Sequence, residues 1–123
     1  MANTEASADP NYVLNGLMFN AGIQNTSLSG LTSGTVRHIN QFGTYASSSG
    51  PGSMNGAWSN AYSLTSNLKL LKGMSETKNL PVHVGIGQVL EALAYVNLVD
   101  FLGSAVYSEA VNSEFTKPNL DEG

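Results

Sequence analysis

The chain has 123 residues, the size of one ordinary domain, and a formal net charge of −4 at pH 7 with only five Lys and Arg residues. Because so few scattered cations form no basic patch, binding to nucleic acid is not expected. Cysteine is absent, which excludes disulfides, thiolate metal sites, a cysteine nucleophile and a lipid-bearing cysteine within the chain.

Charged residues make up 11% of the sequence, against a usual share of about 25%, so uncharged Ser, Asn and Gly must cover much of the surface. This composition favours a protein that works outside the cytoplasm. The small, polar residues 1–10 are predicted to be a flexible leader without the basic and apolar regions of a secretory signal. Any export signal is therefore expected upstream of this chain or not at all. No uninterrupted run approaches the roughly 18 apolar residues of a membrane span.

The first predicted helix covers residues 12–25. Asp9-Pro10-Asn11 is a turn-forming tripeptide that also suits a helix start. Apolar residues then recur at intervals of three or four: Leu14, Leu17, Met18 and Ala21.

Residues 26–56 are rich in Ser, Gly and Thr, and this composition predicts a loop region. One short helix is possible at "TVRHINQF", residues 35–42. Loops of this length in a small domain are often functional.

The second predicted helix covers residues 55–72. Lys69 and Lys72 suit the negative end of this helix, and Gly73 is a plausible stop. Trp58 and Tyr62 lie beside its apolar stripe, which favours a place in the core over stacking on a sugar. The stripe steps by four and three through Ala57, Ala61, Leu64, Leu68 and Leu71.

The third predicted helix covers residues 81–102, with Pro81 in its first turn and Gly103 just past its end. It should pack against the second helix as an antiparallel hairpin of the tetratricopeptide type. Because it is apolar almost all round, neighbours are expected on several sides. Either residues 12–25 cover its far face, or the covering surface lies outside this chain.

No catalytic, metal or cofactor site is predicted. His38 and His83 lack partners at metal-ligand spacing and are interpreted as ordinary surface or capping residues. "GIGQVL" at 85–90 begins like a dinucleotide loop, but its third glycine is replaced and no strand precedes it. Its glycines more simply allow a close helix approach or relax the helix start.

Acidic residues near the end of the sequence could in principle act as an acid and base pair, yet such residues are usually solvated. We therefore predict a protein that is not an enzyme, with ligand-binding residues left open. Tyr95 and Tyr107 are further aromatic candidates for sugar contact, and a place in the core is favoured less for Tyr107 than for the pair Trp58 and Tyr62. The acidic residues concerned are Glu109, Glu114, Asp121 and Glu122.

The stretch 98–110, "LVDFLGSAVYSEA", places an acid inside an apolar helix and ends that helix at a glycine. Asp100 shares a helix face with Ile86, Leu93 and Val96, which predicts that it is buried. A buried carboxylate needs hydrogen-bond donors. We therefore expect Asp100 to accept backbone N–H groups from the turn that begins at Gly103.

"EALAYVNLVDFLGSAVYSEA" at 91–110, followed by "KPNLDEG" at 117–123, resembles the amino-terminal part of the SusD/RagB family. The family pattern is similar to A-x-x-[YF]-x-x-L-x-D-x-[FWY]-G-D-[IV]-P-Y-S-E-A, then Lys-Pro-x-x-Asp. Trp58 and Tyr62 are similar to the W-x-x-x-Y of the preceding family helix. The chain departs at Ser104, where the family has Asp, and at Val106, where it has Pro.

This resemblance implies an all-α, tetratricopeptide-like fold that is part of a larger protein, with residues 1–123 as its amino-terminal fragment and 103–123 as a loop. It implies an outer-membrane lipoprotein, exposed at the cell surface and anchored by a lipid outside this chain. Such proteins bind oligosaccharides or other nutrients and work with a SusC-like TonB-dependent transporter. The alternative is a tetratricopeptide-like protein interaction module without sugar binding.

Overall fold

The computed structural model describes residues 9–38 and 52–122 and confirms the all-α class. Three helices form the body: α1 (Pro10–Thr35), α2 (Asn55–Lys78) and α3 (Pro81–Leu102). Two short strands, β1 (Ser104–Ala105) and β2 (Asp121–Glu122), pair antiparallel beyond α3. Residues 1–8 of the predicted leader 1–10 and residues 39–51 of the predicted loop region lie outside the described part of the chain. The last two leader residues belong to the start of α1, with Asp9 as its N-cap and Pro10 as its first residue.

Helix α1 is ten residues longer than predicted at its carboxyl end. Its start is as the sequence suggests, since Asp9 Oδ1 accepts the Asn11 N–H at 2.9 Å and Pro10 occupies the first turn. The assignment of residues 26–35 to a loop is wrong. The buried face continues through Leu28, and hydroxyls such as Thr32 Oγ1 bond a carbonyl one turn back, at 2.9 Å from Leu28 O. A Ser/Thr-rich segment can therefore remain helical when one face is buried.

Helix α2 continues six residues past its predicted end at 72. Gly73 does not stop it, because Met74 is still buried in the core at 5% exposure. The helix ends at Lys78. Its C-cap, Asn79, adopts the left-handed conformation with φ of 52°, and Pro81 starts α3 two residues later. The lysines predicted to lie in the last turn, Lys69 and Lys72, are consequently interior helix residues.

Helices α2 and α3 form the predicted antiparallel hairpin, with Pro81 and Gly103 bounding α3 as expected. Thr65 Oγ1 lies 3.1 Å from Tyr95 Oη, whereas Leu68, further along α2, meets Gly87, earlier in α3. A Cβ on Gly87 would lie 2.6 Å from Leu68 Cδ1, so this glycine permits the close approach. The interpretation of these glycines is confirmed at Gly87; around Gly85 the space is open.

Helix α1 runs antiparallel to α2 and parallel to α3. Gly16 faces Asn67, while Gln24, nearer the end of α1, reaches the start of α2. The Gln24 Nε2 group donates to the carbonyls of Ala57, at 3.3 Å, and Ala94, at 3.2 Å. One buried amide thus joins all three helices at the centre of the bundle.

The core combines one stripe from each helix with the first strand. It contains mostly leucine and alanine, and Trp58 and Tyr62 pack on its edge as partly buried residues, which confirms their predicted place. Its largest fully buried apolar side chains are Leu17, Leu64, Leu68, Leu71 and Leu98.

The face of α3 that points away from the bundle is exposed and apolar. We call its residues the outer stripe: Val82, Ile86, Val89, Leu93 and Val96, which are 41–70% exposed. Of the two predicted ways to cover α3, α1 provides the first on one further side, and within the described residues the outer stripe has no neighbour. The bundle packs on the other side of α3, where Gly87 and Ala94 allow the backbones to come close.

By length and composition, α3 is also the one helix of the described residues that could cross a membrane, contrary to the sequence expectation. The core helix of a bundle passes the same test, and α3 contacts both other helices.

Asp100 is exposed, so its predicted burial is wrong. Its helical spacing places it on the same face as the outer stripe, as the sequence predicted, but that face points away from the core. Asp100 makes no hydrogen bond to the described residues of the turn after Gly103. The turn is held instead by Tyr62, whose hydroxyl accepts the Val106 N–H at 3.0 Å and donates to the Val106 carbonyl at 2.9 Å.

The departure from the family pattern at Val106 has a structural role in this chain. Proline has no N–H, whereas the Val106 N–H bonds Tyr62. The other departure, Ser104, lies in β1 opposite Glu122. The pairing of β1 with β2 therefore joins the two ends of the described part of the predicted loop 103–123.

Candidate ligand-binding groove

An open groove of about 550 Å³ lies between α3, the side of α2 at Lys72, and the segment after Gly103. We call it the α3 groove. Its apolar wall comes from Ala92, Val96 and Val99 of α3 together with Ala105 of β1. The groove exists because the chain turns at Gly103, where φ is 82°, and returns along α3. A glycine suits this turn because L side chains rarely adopt that conformation.

A row of four aromatic rings leads from the edge of the core to the groove. Trp58 and Tyr62 have centroids 4.9 Å apart, Tyr62 and Tyr95 are 5.9 Å apart, and Tyr95 and Tyr107 are 4.9 Å apart. The last two pairs are edge-to-face, a favourable geometry for aromatic rings. Tyr95 and Tyr107 line the groove. Tyr107 is 57% exposed, so part of its ring is available to a ligand.

The two inner tyrosines are neutral at physiological pH. Burial raises the pKa of Tyr95 to about 12, although its hydrogen bond with Thr65 acts in the opposite direction. Burial likewise raises the pKa of Tyr62, against a lowering effect of its bond with the Val106 backbone. Both hydroxyls therefore stay protonated and hold structure.

Asp121 positions the segment that carries Tyr107. Its Oδ2 accepts the N–H groups of Tyr107 and Ser108, both at 2.8 Å. Its Oδ1 accepts the Ser108 hydroxyl at 2.8 Å. The bonds from Ser108 and Tyr107 hold the pKa of the Asp121 carboxyl below its ordinary value of 3.8. The carboxylate that anchors the turn is thus Asp121, and Asp100 does not have this role.

Glu91 is the unusual polar residue of the groove. It is only 7% exposed, it lines the groove, and it makes no hydrogen bond or ion pair with the described residues. Asp100 also lines the groove without such a partner, as does Lys72. No buried side-chain oxygen of the described residues lacks a hydrogen-bond partner, so the Glu91 carboxylate oxygens open into the groove, where a ligand can donate to them.

The groove is not arranged for a metal. Among residues 9–38 and 52–122, no group of three or more His, Cys, Asp or Glu side chains is placed to hold an ion. His83 Nε2 lies 3.1 Å from Asn11 Oδ1, where it links α3 to α1, and His38 is exposed at the end of α1. Glu109, another acidic candidate, accepts the Asn119 N–H at 2.7 Å, so it too stabilises the segment after α3.

Sequence reasoning named several residues of the groove without placing them together: Tyr95, Tyr107, Asp100 and Asp121. It missed Glu91, which was only one of the few polar side chains on α3. A usable signal was present, since Gln88, Glu91, Tyr95 and Val99 are spaced by three or four and therefore share a helix face.

Comparison of the chain with protein-family models, with curated proteins and with solved structures gave no match.

Proposed function

We propose that this chain is a non-catalytic binding module that holds an oligosaccharide in the α3 groove, as a SusD-like component of nutrient uptake at the outer membrane. One observation carries the proposal: an open groove combines the exposed ring of Tyr107 with the unpartnered carboxylate of Glu91. A sugar ring offers an apolar face for an aromatic side chain and hydroxyl donors for a carboxylate.

The larger setting follows from the SusD/RagB resemblance of residues 91–110. It supplies the proposed SusC-like TonB-dependent transporter as partner, the surface-exposed position on the outer membrane, and the lipid anchor outside this chain. The groove lies next to that segment, because Tyr107 belongs to its final "YSEA" and Glu91 is its first residue.

The test is affinity electrophoresis of the chain through gels that contain soluble polysaccharides. We expect at least one polysaccharide to retard the chain, and Tyr107→Ala to weaken that retardation by about tenfold, the loss of one stacking contact. Tyr12→Ala is the matched control, since Tyr12 is 77% exposed on α1 and away from the groove. Retardation by none of the polysaccharides would contradict the proposal.

The second candidate is a tetratricopeptide-like protein interaction module, and the outer stripe favours it. A row of exposed apolar side chains on one helix is a common feature of protein contact surfaces. The two surfaces share Val96, but Val89 belongs to the outer stripe alone and Tyr107 to the groove alone. Val89→Asp should abolish a protein complex and leave polysaccharide retardation unchanged, whereas Tyr107→Ala should do the reverse.

A further inference from the structure

The charges that line the α3 groove are unbalanced. The carboxylates of Glu91, Asp100 and Asp121 face a single ammonium, that of Lys72. Asp121 already accepts three hydrogen bonds from the Tyr107 and Ser108 region, so it has little capacity left. The two free carboxylates are those of Glu91 and Asp100, and the groove therefore presents negative charge to whatever enters it.

Glu91 is the least exposed of the three groove carboxylates, at 7% exposure of the residue. The described residues offer it no donor, and its oxygens are accessible from the groove, because no buried side-chain oxygen among those residues lacks a partner. A hydroxyl donor would satisfy part of its hydrogen-bonding capacity. A protonated amine would satisfy the hydrogen bond and the charge together, because charge-assisted bonds are about twice as strong as neutral ones.

The form of this cation is limited by the surrounding groups. The described residues contain no cluster of three ligands for a metal ion, so the groove carboxylates do not converge on one point. Tyr95 and Tyr107, by contrast, line the same groove as Glu91. An aromatic face beside a carboxylate suits an organic ammonium group, which gains from the ring as well as from the negative charge.

We propose that the α3 groove selects oligosaccharides that carry a free amino group, with the Glu91 carboxylate accepting hydrogen bonds from the sugar ammonium. This inference rests on the proposed function, because it takes the ligand to be a sugar. It adds the chemical class of that sugar and the residue that recognises it.

The experiment uses three β-1,4-linked pentasaccharides that differ only at C2: glucosamine, N-acetylglucosamine and glucose. Calorimetric titration at about pH 6, below the ordinary pKa of an amine, gives the affinity of the chain for each. We expect the glucosamine oligomer to bind about tenfold or more tightly than the other two, as one charge-assisted hydrogen bond provides.

Two glutamine variants then distinguish recognition of the sugar ammonium by Glu91 from a general attraction of positive charge to the negatively charged chain. Glu91→Gln should reduce the preference for glucosamine to about parity, while binding of the glucose oligomer changes little. Glu76→Gln removes the same charge from an exposed position on α2 and should keep the full preference. Circular dichroism checks that both variants fold.

The outcomes distinguish the two proposals. Measurable binding of all three sugars with equal affinity would overturn the inference and leave the proposed function standing. Binding of none would overturn the inference, and the polysaccharide gels would then decide the proposed function separately. A preference for glucosamine that Glu91→Gln retains would overturn the role of Glu91. Tighter binding of a lysine pentapeptide than of the glucosamine oligomer would overturn the amino sugar as the ligand and show a basic peptide to be the better one.

Discussion

Two regions of this molecule are stabilised in different ways. The helical bundle depends on buried apolar surface, with Leu64, Leu71 and Leu98 all at 0% exposure. The segment 103–121 contributes little to that core, and hydrogen bonds hold it to the bundle through Tyr62 and to itself through Asp121 and Glu109. The bundle is thus expected to respond to lost volume, and the segment to lost donors, acceptors and charge.

This difference bears on function, because the α3 groove lies where the two regions meet. Glu91 and Tyr95 belong to the rigid bundle, whereas Tyr107 depends on the hydrogen-bonded segment. A perturbation of the segment would therefore remove one wall of the groove while the helices stay folded.

The largest expected effect is a core truncation compared with the same change on the outer stripe of α3. Leu98→Ala should lower the free energy of unfolding by about 2–5 kcal/mol, because it removes buried methyl groups and leaves a cavity. Leu93→Ala, at a residue 48% exposed, should cost less than about 1 kcal/mol. Urea denaturation of both variants measures the difference. If the two variants lost equal free energy of unfolding, the outer stripe would be covered in solution.

Sequence periodicity predicted the bundle well, since its signals are local. The stripe of α2 and the bounds of α3 at Pro81 and Gly103 follow from helical spacing and from terminal residues. It failed on the extent of α1, where Ser and Thr suggested a loop but a buried face persists through Leu28. Composition alone does not show whether a polar segment has one face buried.

The sequence also could not decide which side of α3 is inside. An almost uniformly apolar helix has two candidate faces, and the small residues at Gly87 and Ala94 decided between them by allowing close packing. Asp100 was consequently assigned to the wrong environment. The role of Asp121 depends on contacts 13 and 14 residues away along the chain, which no local pattern reports.

An intermediate effect is expected where the segment meets the bundle. Tyr62→Phe removes the hydroxyl that both accepts from and donates to Val106, whose side chain is buried at 8% exposure. Leaving two backbone groups without a partner should cost about 1–3 kcal/mol. Tyr12→Phe, at the exposed start of α1, is the control and should leave the urea midpoint unchanged. If Tyr62→Phe behaves like that control, Tyr62 does not anchor the segment.

The smallest effect should be a dependence on pH that is confined to the segment. The hydrogen bonds from Ser108 and Tyr107 lower the pKa of Asp121 in the folded protein, so the folded state favours the ionised carboxylate. This stabilisation is present above the ordinary value of 3.8 and is lost as the pH falls through the lower pKa of the folded state. Protonation of Asp121 should then release the chain around Tyr107.

Limited proteolysis of the segment across this pH range, with an acid-active protease, measures the release. At about pH 5, where the Asp121 carboxylate is ionised, Asp121→Asn should be cleaved faster than the unmodified chain, and the two rates should converge at lower pH, where both side chains are neutral. Glu76→Gln serves as the control for charge and should match the unmodified chain throughout. A constant ratio of the rates for Asp121→Asn and the unmodified chain at every pH would show that the ionised carboxylate does not hold the segment. The comparison between the two regions would then fail, because the segment would owe its order to packing as the bundle does.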